Sequence, residues 1–359
     1  MWTTDRNPRV AASRRHARCR VRDANPLIRA LIYALLLVVM PPHAAHSQAT
    51  VRTVAGTGRA KMVTVAPGVA LEVVDWGGGG PAMVFLAGLG NSAHVFDGFA
   101  PRFRDAYHVY GITRRGFGAS SRPAGGYDAG SRAHDVLVVL DSLGIRRAIL
   151  VGHSIAGDEL SRFAVTYPDR VGALVYLEAY DYGPAAAALL NGLPVPPQSY
   201  PKVTPADSAS ARSVAAYVQR LRGVRLPISE IRATSRFDAD GHLARTRQPA
   251  GVDAGAATIA GTERADYARI AAPALAIYAV RASPRVRFPL YDTFDAENRA
   301  MAQRVIAVQD SFGLAVRTRF RREVRRGRVV EIANANHYVF LSNPTQVEQA
   351  MRAFLRTVR

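Results

Sequence analysis

The sequence predicts an α/β protein: a mostly parallel sheet with helices on both faces and a helical cap inserted after the strand ending at Glu178. Three observations predict it. Short, continuous apolar runs alternate with stretches of helical periodicity, as in βαβ units. One Pro-rich stretch without a strand pattern interrupts that alternation. A Gly-x-Ser-x-Ala turn sits between a strand and a helix, in the chain Val151-Gly152-His153-Ser154-Ile155-Ala156-Gly157.

In chain order, residues 61–66 and 69–76 alternate like two antiparallel strands across a Pro67-Gly68 turn. Residues 82–87 (AMVFLA) form a continuous apolar run, expected of a strand buried on both faces. Residues 107–112 form another. Residues 127–143 are helical and stop at Gly144. A strand at 147–151, a helix at 154–167 and a strand at 171–178 follow. Residues 273–280 predict a strand, 297–324 a helix, 328–332 a strand and 344–358 a closing helix. This divides the chain into a core of residues 50–180 and 273–359, and a cap of residues 181–272. Ligands of open α/β sheets bind at the C-terminal edge of the strands, so a cap there can act as a lid.

Composition sets bounds. Of 359 residues 48% are hydrophobic and 21% charged, which suits a folded core rather than disorder. The formal net charge is +19, nearly all from scattered Arg. No aromatic interleaving or zinc-finger spacing accompanies it, so it is read as compositional bias rather than a nucleic-acid surface. Cys19 is the sole cysteine, which excludes a disulfide framework and a thiol metal site. Residues 1–49 read as a secretory signal peptide. They carry an Arg-rich start, an apolar stretch at 30–40, Pro41-Pro42, and small residues placing cleavage after Ala49. That apolar stretch is short for a span, which needs about 20 residues; an uncleaved anchor is the alternative. The mature protein is expected to be secreted or periplasmic, without a membrane span.

The chemistry centres on Ser154. A sharp strand-to-helix turn lifts a serine hydroxyl clear of the sheet and demands small neighbours. The bland alternative is a helix-capping serine. Partners in the right order favour the first. His337, in Asn334-Ala335-Asn336-His337-Tyr338, lies between the last strand and last helix, where a general base is needed. The loop Ala87-Gly88-Leu89-Gly90-Asn91-Ser92 can aim the Leu89 amide at an oxyanion, paired with the Ile155 amide. An acid must orient the imidazole. Glu178 ends the strand after the elbow helix and is favoured; Asp181, Asp292 and Asp295 are the alternatives. His153 reads as scaffold and His94 as a first-turn helix residue. The stretch Thr113-Arg114-Arg115-Gly116-Phe117-Gly118 reads as a turn without a catalytic role. The arginines between 317 and 328 read as a solvated helix face.

With these segments in view (FLAGLGNS, GITRRGFGASSRP, VGHSIAG, VYLEA, NANHYVFLSNP) the chain resembles the α/β-hydrolase superfamily, in its cap-bearing serine esterase-like branch. The resemblance covers residue 60 to the end, outside the cap. The sequence offers no metal-ligand constellation and no dinucleotide-binding glycine pattern, and the expected chemistry requires no cofactor. Some dehalogenases of the superfamily place the acid after the same strand, which supports Glu178, but they use an Asp nucleophile. Two departures stand out: Ala87-Gly88 replaces a frequent His-Gly, and the commoner acid position after residues 273–280 is vacant. The expected function is hydrolysis of a carboxylic ester by a Ser-His-acid triad. An apolar cap with Tyr180, Tyr182, Leu189 and Leu190 points to a hydrophobic small-molecule ester. Alternatives are amide, peptide or C–C bond hydrolysis on the same triad, or a non-catalytic ligand-binding relative.

Overall fold

The computed structural model describes residues 58–246, 252–280 and 283–358. The expected signal peptide and residues 281 and 282 of the loop after 273–280 lie outside the described residues. A hairpin of β1 (Arg59–Ala66) and β2 (Val69–Gly77) is followed by β3 (Ala82–Leu86) and β4 (His108–Ile112). Then come α1 (Ala129–Ser142), β5 (Ala148–His153), α2 (Ala156–Thr166) and β6 (Val171–Leu177). Segment 181–272 carries α3 (Pro184–Asn191), α4 (Ala211–Arg222), α5 (Ile228–Thr234), β7 (Ser235–Phe237), β8 (Leu243–Thr246) and α6 (Ala254–Ala260). The chain continues through β9 (Ala274–Val280), α7 (Pro284–Arg287), α8 (Ala296–Glu323), β10 (Gly327–Ala333), α9 (Val339–Ser342) and α10 (Pro344–Leu355).

Eight strands form one sheet in the order β1-β2-β4-β3-β5-β6-β9-β10. β2 runs antiparallel to β1 and β4, and every other neighbouring pair is parallel. The inner strands β3, β5, β6 and β9 are buried on both sides, and their side chains sort by alternation. Met83, Phe85, Ile149, Val151, Val175, Leu275 and Ile277 join one cluster, with α10 closing it through Val347, Met351 and Phe354. Val84, Leu86, Leu150, Leu174, Tyr176, Ala276 and Tyr278 join the opposite cluster, under Val136 and Leu140 of α1, Leu160 and Phe163 of α2, and Phe320 of α8. This is the layered α/β architecture expected from the sequence.

The helices α1 and α8 begin where a short polar side chain satisfies a free amide. Asp128 caps α1 by accepting from Ser131 N–H at 2.9 Å, and Asp295 caps α8 by accepting from Asn298 N–H at 2.8 Å. Segment 181–272 departs from the strand-free reading: β7 and β8 form an antiparallel hairpin. Strands of three and four residues are too short to show alternation. The Asp240-Gly241 pair, with Gly241 at φ 84°, was the available turn signal.

Candidate functional site

Ser154 follows the last residue of β5 and precedes α2. Its φ is 55°, in the left-handed region that side chains avoid. The turn is anchored by Ser154 N–H donating to Leu177 O at 3.1 Å and by Gly157 N–H donating to Ser154 O at 3.0 Å. Space around it is tight: a Cβ on Gly152 would lie 2.8 Å from Leu160 Cδ1 and 3.2 Å from the Ala156 carbonyl carbon. Ser154 does not cap α2; Ile155 holds that position, with no side-chain hydrogen bond. The residue is partly exposed and its hydroxyl, among the described residues, makes no hydrogen bond, to His337 or to any other group. Such contacts commonly tighten only when substrate binds.

Glu178 stands at the end of β6, beside β5, and also has a left-handed backbone, φ 48°. Its side chain is fully buried. Oε2 lies 3.2 Å from His337 Nδ1, while Oε1 accepts from Ala279 N–H at 2.6 Å and from the Tyr180 hydroxyl at 2.9 Å. The carboxylate is therefore held on three sides, one of them the imidazole. His337 follows a third left-handed residue, Asn334 at φ 53°, and its side chain is 37% exposed, enough to meet a ligand.

His153 bridges the Ser154 and His337 segments. Its Nε2 lies 2.9 Å from His337 O, and its ring packs 4.7 Å from the His337 ring. Because a carbonyl only accepts, Nε2 carries the proton and Nδ1 does not. Burial, with the neighbouring His337, holds the His153 imidazole well below its usual pKa and so neutral. Its Nδ1 also explains Gly88: a Cβ there would sit 2.7 Å from that nitrogen and 3.3 Å from Ser154 Cβ. The loop thus passes directly over the serine.

The Leu89 and Ile155 amides donate to no other group among the described residues. Two elements hold the loop. From the sheet side, buried Arg114 donates to Ala87 O at 2.8 Å and to Gly88 O at 3.5 Å, and is paired with Glu159. From segment 181–272, buried Glu230 accepts from Asn91 Nδ2 at 2.8 Å and from Ser92 N–H at 3.2 Å. Burial lifts the Glu230 carboxyl to about 7 against those hydrogen bonds.

Neither Arg114 nor Glu230 was expected here. Arg114 had been assigned to a turn without a catalytic role, and nothing around Glu230 in ISEIRAT distinguishes it from a surface residue. Tyr180 and Tyr338 were missed in the same way. Tyr180 was expected to line an apolar cap, yet its hydroxyl serves Glu178 and its ring packs on Tyr278 and Phe312. Leu189 is 46% exposed. Tyr338 OH donates to Asn91 Oδ1 at 3.1 Å and accepts from Arg222 Nη1 at 2.6 Å.

The alternative acids are engaged elsewhere. Asp181 pairs with Arg319 and accepts from Ala265 N–H at 3.1 Å. Asp292 is exposed and pairs with Arg285, and Asp295 caps α8. His94 does sit in a first helical turn, between Asp97 at 3.0 Å and Glu72 at 3.5 Å. The basic stretch of α8 is not simply a solvated face. Arg319 is 15% exposed and stacks over Tyr267, and Arg317 and Arg321 pair with Glu331. Asp238, Asp240 and His242 come within 4.8 Å of one another on the exposed β7–β8 turn. There Asp238 Oδ1 already accepts from Asp240 N–H at 3.1 Å and His242 N–H at 2.8 Å. No described helix is long and apolar enough to cross a membrane.

A profile described as alpha/beta hydrolase fold matches residues 81–222. The chain has the α/β-hydrolase fold. It is 33% identical over 105 residues to 2-(acetamidomethylene)succinate hydrolase of Mesorhizobium japonicum, spanning 29% of this chain and 38% of that protein. It is 34% identical over 116 residues to a putative carbamate hydrolase of Caulobacter segnis (32% and 43%), and 35% identical over 107 residues to fluoroacetate dehalogenase of a Burkholderia species (28% and 35%). These matches therefore span less than half of each relative. In structure it is similar to E-2-(acetamidomethylene)succinate hydrolase, with TM-score 0.59 at 24% identity over 83% of this chain and 99% of that one. It is also similar to a Bacillus subtilis carboxylesterase, with TM-score 0.53 at 18% identity over 83% and 91%.

Proposed function

We propose that this chain is a serine hydrolase that cleaves carboxylic esters of small molecules through an acyl-enzyme. The observation that carries this reading is the Glu178–His337 contact of 3.2 Å beside a serine held at φ 55° at the end of the neighbouring strand. In this reading Ser154 Oγ attacks the carbonyl carbon while His337 takes its proton. Glu178 holds the imidazole in one tautomer and stabilises the imidazolium. The Leu89 and Ile155 amides stabilise the oxyanion; each such donor is typically worth about 2.7–4 kcal/mol in the transition state. Collapse of the tetrahedral intermediate expels the alcohol, protonated by His337. Water activated by His337 then releases the acid. Residues 1–49 would direct export, with the mature chain starting at Thr50.

Amide hydrolysis is the second reading, favoured by similarity in sequence and fold to a hydrolase whose named substrate carries an acetamido group. A fluorophosphonate probe tests the nucleophile. It should label the wild-type protein at Ser154 and leave Ser154→Ala unlabelled; label at another residue, or none, would overturn the reading. Matched p-nitrophenyl esters and anilides then separate ester from amide.

A further inference from the structure

One fully buried carboxylate has no place in the triad. Glu230 on α5 is 1% exposed, on a short helix whose neighbour Ile231 faces the core. Its Oε1 accepts from Asn91 Nδ2 at 2.8 Å; its Oε2 accepts from Ser92 Oγ at 2.5 Å; and Ser92 N–H points between them at 3.2 and 3.3 Å. All three partners are used here as donors. Only an acceptor-only group can satisfy all of them, and a carboxylate is that group. Asn91 and Ser92 close the turn that carries Leu89, since Asn91 N–H donates back to Gly88 O at 3.2 Å.

The grip extends further. Asn91 Oδ1 accepts from Tyr338 OH, the residue after His337, and Tyr338 OH accepts from Arg222 of α4. Asn336, the residue before His337, donates from Nδ2 to Arg222 O at 2.8 Å. One network thus joins segment 181–272, the loop over the serine and the histidine loop. Its anchor lies 138 or more residues from the loop it holds. Burying a carboxylate costs desolvation free energy, which the Asn91 and Ser92 donors offset here.

We propose that Glu230 is a positioning residue: it sets the 88–92 loop so that the Leu89 amide faces the developing oxyanion, making the reaction rate depend on a carboxylate supplied from segment 181–272. This rests on the reading of Ser154 and Leu89 given above. It implies that the loop reaches its working geometry only when α5 is seated against it.

The test compares the full chain as wild type and Glu230→Gln at pH 8.5, where the Glu230 carboxyl, raised to about 7 by burial, is ionised. It reads the second-order rate of fluorophosphonate labelling at Ser154, kcat and KM for p-nitrophenyl acetate, and the melting temperature. Gln presents an NH2 to groups that already donate, so the loop shifts. Labelling rate and kcat should fall about tenfold or more, with KM changed less than about twofold, the pattern of an interaction made only in the transition state. Glu230→Asp, which keeps the acceptor-only carboxylate, should recover part of the loss. A lower melting temperature with unchanged labelling rate and kcat would mean Glu230 only docks α5, and overturns the proposal. If Glu230→Gln does not fold, Ser92→Ala removes one donor from the same grip and should lower both rates about threefold; unchanged rates there overturn it equally. A wild-type protein that is not labelled at Ser154 overturns the serine reading and this inference with it. Normal labelling in wild type and variant overturns the inference alone.

Discussion

The candidate site has two halves built on different principles. Ser154 and Glu178 end adjacent strands, β5 and β6, and each is held by its own backbone at positive φ with an amide tied to a neighbouring strand. His337 and the 88–92 loop lie beyond the strands and are held by side chains from afar: His153, Arg114, Glu230 and Tyr338. The first half is placed by strand-end backbone at positive φ, with the buried Glu178 carboxylate also held by Ala279, Tyr180 and His337. The second is placed by side chains that reach it across long stretches of chain. Substitutions that remove a side chain of the first half should therefore act mainly on chemistry, and those that remove a long-range anchor of the second should change stability as well.

Glu178→Gln gives the largest effect. The carboxylate oxygen on His337 Nδ1 would be replaced by an amide that favours the wrong tautomer, and kcat for a p-nitrophenyl ester should fall by about 10³–10⁴. The melting temperature should move little. Asp292→Asn should leave kcat unchanged, because Asp292 is exposed and pairs only with Arg285 among the described residues. A kcat that drops in Asp292→Asn and not in Glu178→Gln would move the acid to the loop-borne half and erase the contrast.

Arg114→Met comes next and acts on stability. The guanidinium is 5% exposed, pairs with Glu159 and holds the carbonyls of Ala87 and Gly88. Arg132 also approaches Glu159, at 3.4 Å, and itself pairs with Asp158. Removing one member of a buried ion cluster leaves an uncompensated charge, at a cost of about 3–5 kcal/mol. Urea unfolding should show that loss, with kcat of the remaining folded protein reduced as well. A stable variant would show that Arg132 alone compensates Glu159.

The two halves also differ in how far the sequence disclosed them. Continuous apolar runs located β3, β5, β6 and β9, and a residue at the tip of such a run can be assigned to the C-terminal edge of the sheet. Ser154 and Glu178 were legible on that basis, and His337 from its place between the last strand and last helix. The anchors were not. Glu230 meets Ser92 across 138 residues of chain, and no periodicity encodes such a contact. Arg114 reads like any arginine in an Arg-rich chain. The β7–β8 hairpin was missed because its strands are shorter than the pattern that would reveal them.

His94 tests the loop-borne half through pH. Burial alone would lower its pKa, but hydrogen bonds and charge from Asp97 and Glu72 outweigh it and raise the imidazole to about 10. The unfolded chain has the ordinary value near 6.5. The folded state therefore binds the extra proton between those values. The stabilisation is fully present below pH 6.5 and is lost as pH rises through about 10. Charged hydrogen bonds of this kind are worth about 1.5–3 kcal/mol. Unfolding free energy should thus fall across that alkaline range, and His94→Gln should flatten the slope. An unchanged slope in the variant would assign the alkaline loss to other groups.

The smallest effect probes strain in the strand-borne half. Ser154→Ala and Ser154→Gly both remove the hydroxyl proposed as nucleophile, so they differ only in backbone. At φ 55° a Cβ costs about 1–2 kcal/mol, whereas glycine loses about 0.5–1 kcal/mol in extra freedom of the unfolded chain. Ser154→Gly should therefore be the more stable of the two by about 0.5–1 kcal/mol in urea unfolding. Asn334 offers the control in the other half. It has nearly the same φ, 53°, but asparagine tolerates this region through its short polar side chain, so Asn334→Gly should gain less. If both glycine variants gain equally, the left-handed turns at the serine and before the histidine carry the same strain, and the two halves differ only in what surrounds them.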